Sequence, residues 1–260
     1  MTDSNGTLRR VIGALPGSIA GALIGAVGGP ETAALGAFTG TVLGEVGADV
    51  ISRALSPRQE RRVGTVLLAA SAAFTAQEQL HGRKARDDGF FADDTAPGAG
   101  FVEGVLLTAK DAYEEQKVPY LGNLLAAVAL DDGIDAGTAN HALRSAESLS
   151  WNELLVLGVF ADPDAYPMPK NELPPHTDWG SWTHLMSVKQ LLDPPSSMLT
   201  PAEKTHSHGI PGFDLNLDAI TLTNSGFLLT SLMSLTTIPD SDRRPVYNSI
   251  NAAAASTTDG

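Results

Sequence analysis

A chain of 260 residues without cysteine cannot form disulfides, use a thiolate nucleophile or build a cysteine zinc site. Its formal net charge of −13 at pH 7 repels phosphates on average, so we expect no nucleic-acid partner. Aromatic residues make up only 6% of the chain, and abundant alanine favours helices joined by loops over sheet. The composition therefore predicts a mainly α fold.

After a polar tail over residues 1–10, the stretch GALPGSIAGALIGAVGGPETAALGAFTGTVLGEVG, residues 13–47, places glycine at every fourth position in two runs. The glycines in register are Gly13, Gly17, Gly21, Gly25, Gly29, Gly36, Gly40 and Gly44. Glycine costs a helix interior about 1 kcal/mol relative to alanine, so the repetition needs a compensating interaction. Small residues four apart form a groove in which a second backbone can lie closely against the helix. We predict a glycine-zipper helical hairpin over residues 11–55, through which copies of the chain form a homo-oligomer.

Arginines flank this hairpin at both ends, and the turn between its arms has no lysine or arginine. The flanking residues are Arg9, Arg10, Arg53, Arg58, Arg61 and Arg62. Under the positive-inside rule both ends stay in the cytoplasm while the turn enters the bilayer. Each arm approaches the length of about twenty residues that a membrane span needs, the second only if Glu45 is included. We therefore expect the protein on the cytoplasmic face of a bacterial inner membrane.

Two carboxylates oppose deep insertion of the second arm. Glu45 and Asp49 stand four residues apart near its cytoplasmic end, and a charge at membrane depth costs about 2.5–3.5 kcal/mol. They limit how far the arm can enter the bilayer. The sequence is compatible with a hairpin that spans the bilayer and with one that is re-entrant. The alternative is a cytoplasmic protein whose hairpin is buried against its own helices or closes an oligomer.

Residues 56–160 have the pattern of a helical bundle. Ser56 and Pro57 supply the cap and first position of a helix that ends at Gly82, and Ser150 supplies a second N-cap. The apolar stripe of the first helix consists of Val63, Val66, Leu67, Ala70 and Phe74. A second amphipathic helix, which ends or kinks at Pro119, presents Val102, Leu106, Ala109 and Tyr113 on one side.

Prolines crowd the chain beyond residue 160, and the order helix, helix, strand pair, helix over 161–238 predicts a small winged-helix-like unit. Its candidate recognition helix, WGSWTHLMSVKQLL, carries a single lysine. A helix that reads DNA needs several basic side chains to neutralise phosphates. We therefore expect this unit to contact a protein partner. The polar, alanine-rich residues 239–260 predict a disordered tail.

The residues that could bind a metal or act in acid–base catalysis do not form a recognisable motif in the sequence. His206 and His208 lack a third metal ligand, and Glu78 with His81 form one Glu-x-x-His pair where a di-iron bundle needs two. The aspartate pairs 87–88, 93–94 and 131–132 lack a marked partner base, so solvated loops account for them better than acid–base catalysis. We predict no catalytic, metal-binding or cofactor-binding residues and no enzymatic activity.

The stretches RDDGFF, EGVLLTAKDAYEEQKVPYLGNLLAAVALDD and LDAITLTNSGFLL lie between residues 58 and 235. In them the chain resembles a group of largely uncharacterised bacterial helical proteins. It is more distantly similar to the abortive-infection alpha family, whose members end in a comparable helix and LT-x-x-G unit. The resemblance leaves the glycine hairpin outside, brings no catalytic residues, and implies a role in phage defence or growth arrest.

Overall fold

A computed structural model describes residues 55–93, 95–169, 191, 198–201 and 217–255. Within these ranges the protein has seven α-helices and one two-stranded sheet, so the predicted mainly α class is confirmed. The boundary between two compact units falls after Ser148. The glycine register, the limiting carboxylates Glu45 and Asp49, and the flanking Arg9, Arg10 and Arg53 lie outside the described residues.

Four helices of the described residues belong to the first unit. They are α1 (Pro57–His81), α2 (Pro97–Asp111), α3 (Val118–Leu130) and α4 (Ala136–Ser148), with a 3-10 turn at Glu115–Lys117. The predicted start of α1 is confirmed, since the Ser56 hydroxyl accepts from the Gln59 N–H while the Gln59 side chain accepts from the Ser56 N–H. Its predicted end is confirmed too, because Gly82 adopts the left-handed conformation at φ +62°.

The core of the first unit lies where α1 crosses α3. Every residue of the predicted α1 stripe is buried. The two backbones approach closely at Gly122 of α3, where a Cβ atom would stand 2.6 Å from the Val66 carbonyl oxygen and 2.8 Å from the Ala70 nitrogen. Only a residue without a side chain fits this crossing.

The second amphipathic stripe is shorter than the sequence predicts. Val102, Leu106 and Ala109 are fully buried, but Tyr113 is 93% exposed. The reason is that α2 ends at Asp111 and a 3-10 turn follows, so Tyr113 has left the helical spacing of the stripe. The prediction that Tyr113 belongs to this stripe was wrong.

The second unit contains the strand pair. Its elements within the described residues are α5 (Trp151–Phe160), β1 (Leu199–Pro201), β2 (Ile220–Leu222), α6 (Asn224–Met233) and α7 (Asp240–Ala255), with 3-10 turns at Leu217–Ala219 and Leu235–Thr237. The strands are antiparallel, with Thr200 opposite Thr221. The predicted cap of α5 is confirmed, because Ser150 and Glu153 form a reciprocal capping box.

Two predicted boundaries of the C-terminal region were wrong. The sequence placed residues 151–160 in the bundle, whereas α5 is buried along its length and packs on α7 and β2 of the second unit. The sequence also predicted a disordered tail from residue 239, where the structure has α7. Buried Arg243, Val246 and Ile250 recur at helical spacing along α7, and this stripe holds it on the unit.

Candidate functional site

The basic start of α1 is a predicted functional feature that lies within the described residues. Arg58 Nε lies 2.6 Å and Arg62 Nε 3.2 Å from the same Glu115 carboxylate oxygen. Arg62 also donates to the Lys110 carbonyl oxygen at 3.0 Å, and its side chain is only 11% exposed. The hydrogen bond from Arg58, supported by the charge of Arg62, holds the pKa of Glu115 below its ordinary value.

Of the three arginines on α1, Arg62 is therefore committed to packing inside the first unit. Arg58 keeps most of its side chain in water, and Arg61 is exposed. These two side chains therefore reach solvent at the start of the helix.

A buried guanidinium lies at the other end of the first unit. Arg86 donates to the carbonyl oxygens of Ile134, Asp131 and Val128, at 2.7, 3.0 and 3.4 Å. It pairs with the Asp88 carboxylate, at 2.9 Å from Nε to Oδ1, and its Cζ lies 3.9 Å from the centre of the Phe90 ring. This single side chain satisfies the carbonyls at the C-terminal end of α3 and ties the loop after α1 to them.

The Arg86 hydrogen bond lowers the pKa of Asp88 to about 2. Asp88 is therefore ionised at neutral pH and engaged with a structural cation, which leaves it without the proton that a general acid needs. Asp87, Asp131 and Asp132 are exposed, and Asp131 accepts from the Gly133 N–H at 3.0 Å. Asp88, in the loop with the first aspartate pair, therefore holds Arg86 in place, a structural role that the sequence did not indicate.

The Asp88 carboxyl is expected to titrate near pH 2 in the folded protein, below its ordinary value of 3.8. Because the folded pKa is depressed, the stabilisation from this pair is present above pH 3.8 and lost as the pH falls through about 2. A carbon-detected NMR titration of the side-chain carboxyl measures the midpoint. A midpoint at or above 3.8 would contradict the Arg86 contact.

In the second unit a buried tyrosine joins α7 to the segment after α5. The Tyr166 hydroxyl donates to Asp240 at 2.5 Å, and Arg244 donates to the same carboxylate at 2.8 Å. Arg243 donates to the Gly158 carbonyl oxygen at 3.2 Å and to Asp162 at 3.1 Å. Both guanidinium carbons lie under 5 Å from the centre of the Tyr166 ring.

Burial, with the neighbouring Asp240 carboxylate, raises the pKa of Tyr166. The hydrogen bond from Tyr166, with that of Arg244, lowers the pKa of Asp240. At neutral pH the Tyr166 phenol therefore keeps its proton and the Asp240 carboxylate keeps its charge. In this state the hydroxyl can donate its hydrogen bond to the carboxylate. The cluster anchors α7, and it explains why the region predicted as a tail is ordered.

A small cavity adjoins this cluster. Its volume is about 110 Å³, and its lining residues are Val159, Phe160, Pro163, Tyr166, Met168, Leu217, Asp218 and Ile220. Sites for cofactors and drug-sized ligands are commonly about 300–1,000 Å³. The cavity has room for a few water molecules or one small apolar group.

Glu78 and His81, which the sequence raised as half of a metal site, are exposed at the end of α1. In the part of the chain that the structure describes, no three histidine or carboxylate side chains converge to hold a metal ion. His206 and His208 lie outside that part.

Among the helices of the described ranges, none combines the length and the apolar character that a membrane span requires. No model of a known protein family, no curated protein and no solved structure matches the chain. The similarity to the abortive-infection alpha family therefore stays a prediction.

Proposed function

We propose that this protein is a membrane-associated, non-enzymatic effector or scaffold that self-associates through a glycine-zipper hairpin at residues 11–55. One observation carries the proposal: eight glycines in a four-residue register occupy a nearly uncharged stretch that arginines flank on both sides. Close backbone approach is the interaction that compensates for so many glycines in helices. The arginines then hold both ends of the hairpin at an anionic cytoplasmic surface.

The described units support a non-enzymatic role through the state of their polar groups. Arg86 is engaged by carbonyls and Asp88, and the Tyr166 hydroxyl is engaged by Asp240. Groups held in this way stabilise the fold, which is the role that the proposal gives to the described units. Exposed Arg58 and Arg61 at the start of α1 lie next to the proposed hairpin in the chain, where they extend its basic flank.

We further propose that the second unit is winged-helix-like and contacts a protein partner. The antiparallel pair of β1 and β2, followed directly by α6, supports the first part of this proposal. For the second part, Phe227 on α6 offers a large aromatic side chain that is 67% exposed and available to a partner. A role in phage defence rests on the family resemblance alone.

Leucines placed on the glycine face test the oligomer. Gly21→Leu with Gly25→Leu blocks close helix contact while it raises hydrophobicity, so self-association should fall at least about tenfold with membrane binding retained. Ala22→Leu with Ala26→Leu adds the same two leucines beside that face and should leave the oligomer intact. Sedimentation in detergent measures both variants. Equal oligomer size in the two variants would contradict a zipper.

The second candidate is a soluble interaction module or assembly subunit whose hairpin is covered by protein. Thr65, Leu68, Ala72 and Ala76 of α1 are exposed, and no residue from 63 to 77 is charged. This uncharged surface favours the second candidate, because it offers the hairpin a place to pack. This candidate predicts that the full-length chain does not bind liposomes at any pH.

A further inference from the structure

The start of α1 and the end of α2 form one surface, which we call the entry end because residues 11–55 lead directly into it. It consists of the segments 56–62 and 110–115. Arg62 donates to the Lys110 carbonyl oxygen at 3.0 Å, and Arg58 lies 2.6 Å from Glu115. These contacts hold the two segments side by side.

The entry end has no net charge, although the whole chain has a formal net charge of −13. Its bases are Arg58, Arg61, Arg62 and Lys110, and its carboxylates are Glu60, Asp111, Glu114 and Glu115. The two arginine contacts neutralise Glu115, and the Lys110 ammonium lies 3.5 Å from Asp111. An anionic surface is therefore not repelled by this end of the unit.

The opposite end of α1 is acidic. Arg86 connects the segment 78–88 to the segment 131–135 through the carbonyl oxygens of Asp131 and Ile134, at 3.0 and 2.7 Å. The carboxylates of these segments are Glu78, Asp87, Asp88, Asp131, Asp132 and Asp135, and their bases are Arg83, Lys84 and Arg86. Carboxylates outnumber lysine and arginine here, so this end is repelled by an anionic surface.

An exposed tyrosine lies at the entry end. Tyr113 is 93% exposed and follows the end of α2 at Asp111. Its neighbours in the chain are fixed to the first turns of α1, since Gln59 donates to Asp111 at 3.5 Å and Arg58 to Glu115. A tyrosine ring combines an apolar body with a polar hydroxyl, and such rings are enriched at the headgroup level of bilayers.

We propose that the entry end lies on the membrane surface, with Tyr113 among the lipid headgroups and the acidic end of α1 turned away from the bilayer. The inference rests on the proposed function. If residues 11–55 enter the bilayer, Ser56 lies near its surface because it follows them directly in the chain. Exposed Arg58 and Arg61 then lie close enough to attract anionic lipid.

Single fluorescent labels test this orientation in the full chain, which has no cysteine of its own. Tyr113→Cys and Leu80→Cys each carry the fluorophore NBD and are mixed with vesicles of phosphatidylcholine and phosphatidylglycerol. Leu80 is the matched control, because it is 75% exposed and lies in the last turn of α1. It stands about 33 Å along the helix axis from Arg58, so nitroxide-labelled lipid should quench the label at position 113 at least about fivefold more strongly.

Equal quenching at the two positions would overturn the orientation. A blue shift at position 113 without quenching by lipid would also overturn it, since a protein surface would then cover the label. Flotation of the same samples separates this inference from the proposed function. If the chain floats while the label at position 113 stays in water, the membrane function stands and the orientation fails. If the chain does not float, both fail.

Substitutions without a label provide an independent check. Tyr113→Ser should weaken flotation several-fold, and Tyr113→Trp should restore it, because tryptophan also favours the headgroup level. Leu80→Ser removes an exposed apolar side chain at the acidic end and should leave flotation unchanged. Circular dichroism confirms that the variants fold like the parent. Flotation of Tyr113→Ser equal to that of a floating parent would overturn the contact of Tyr113 with lipid.

Discussion

Replacing Arg86 by methionine is expected to lower the free energy of unfolding by about 3 kcal/mol. Methionine fills much of the space of the arginine stem but leaves the carbonyls of Val128, Asp131 and Ile134 without their shared donor. Asp88 loses its cation as well, although its partial exposure lets water replace part of that contact. Urea unfolding followed by circular dichroism measures the loss.

Arg144→Met is the matched control for this change. Arg144 is exposed on α4 and donates to the Asn140 carbonyl within its own helix, so its removal should change stability by about 0.5 kcal/mol or less. An effect at Arg86 no larger than that at Arg144 would mean that the loop after α1 is not held by this guanidinium.

Gly122→Ala is expected to destabilise the first unit by about 2 kcal/mol, although alanine favours a helix more than glycine does. The added methyl group would lie 2.6 Å from the Val66 carbonyl oxygen and 2.7 Å from the Ala69 Cβ. Backbone atoms cannot move aside without separating α1 from α3, so the steric effect outweighs the gain in helix propensity. Thermal unfolding of the full chain measures the result.

Gly100→Ala separates these two effects. Gly100 lies in α2, and a Cβ added there meets no atom within 4 Å. The substitution should therefore raise stability by about 0.5–1 kcal/mol. If both glycine variants changed stability in the same direction, packing at the α1–α3 crossing would not be decisive.

Local signals account for the parts of the fold that the sequence predicted. The capping boxes at Ser56 and Ser150 act within three residues of the chain, and the left-handed Gly82 needs only its own backbone freedom. Periodic apolar residues determined the buried face of α1 in the same way. Tyr113 continued the apolar periodicity of α2 in the sequence, but that helix ends at Asp111, before it.

Contacts between distant residues account for the parts that were missed. Arg86 meets carbonyls more than forty positions away, so no spacing in its neighbourhood marks it. Tyr166 and Asp240 likewise lie 74 positions apart, and their bond holds in place a helix whose polar composition suggested disorder. The predicted site lies mostly in residues 11–54, outside the described residues, and the structure adds only the surroundings of Arg58, Arg61 and Arg62.

Liposome flotation of the full-length chain tests the proposed membrane association most directly. Vesicles with anionic lipid are floated with the parent and with Glu45→Gln, Asp49→Asn at neutral and mildly acidic pH. Protonation reduces the cost of burying the two carboxylates, so parent flotation should strengthen as the pH falls, whereas the amide variant should float at both values. Equal and negligible flotation under all four conditions would contradict the membrane role and leave a hairpin packed within the protein as the better account.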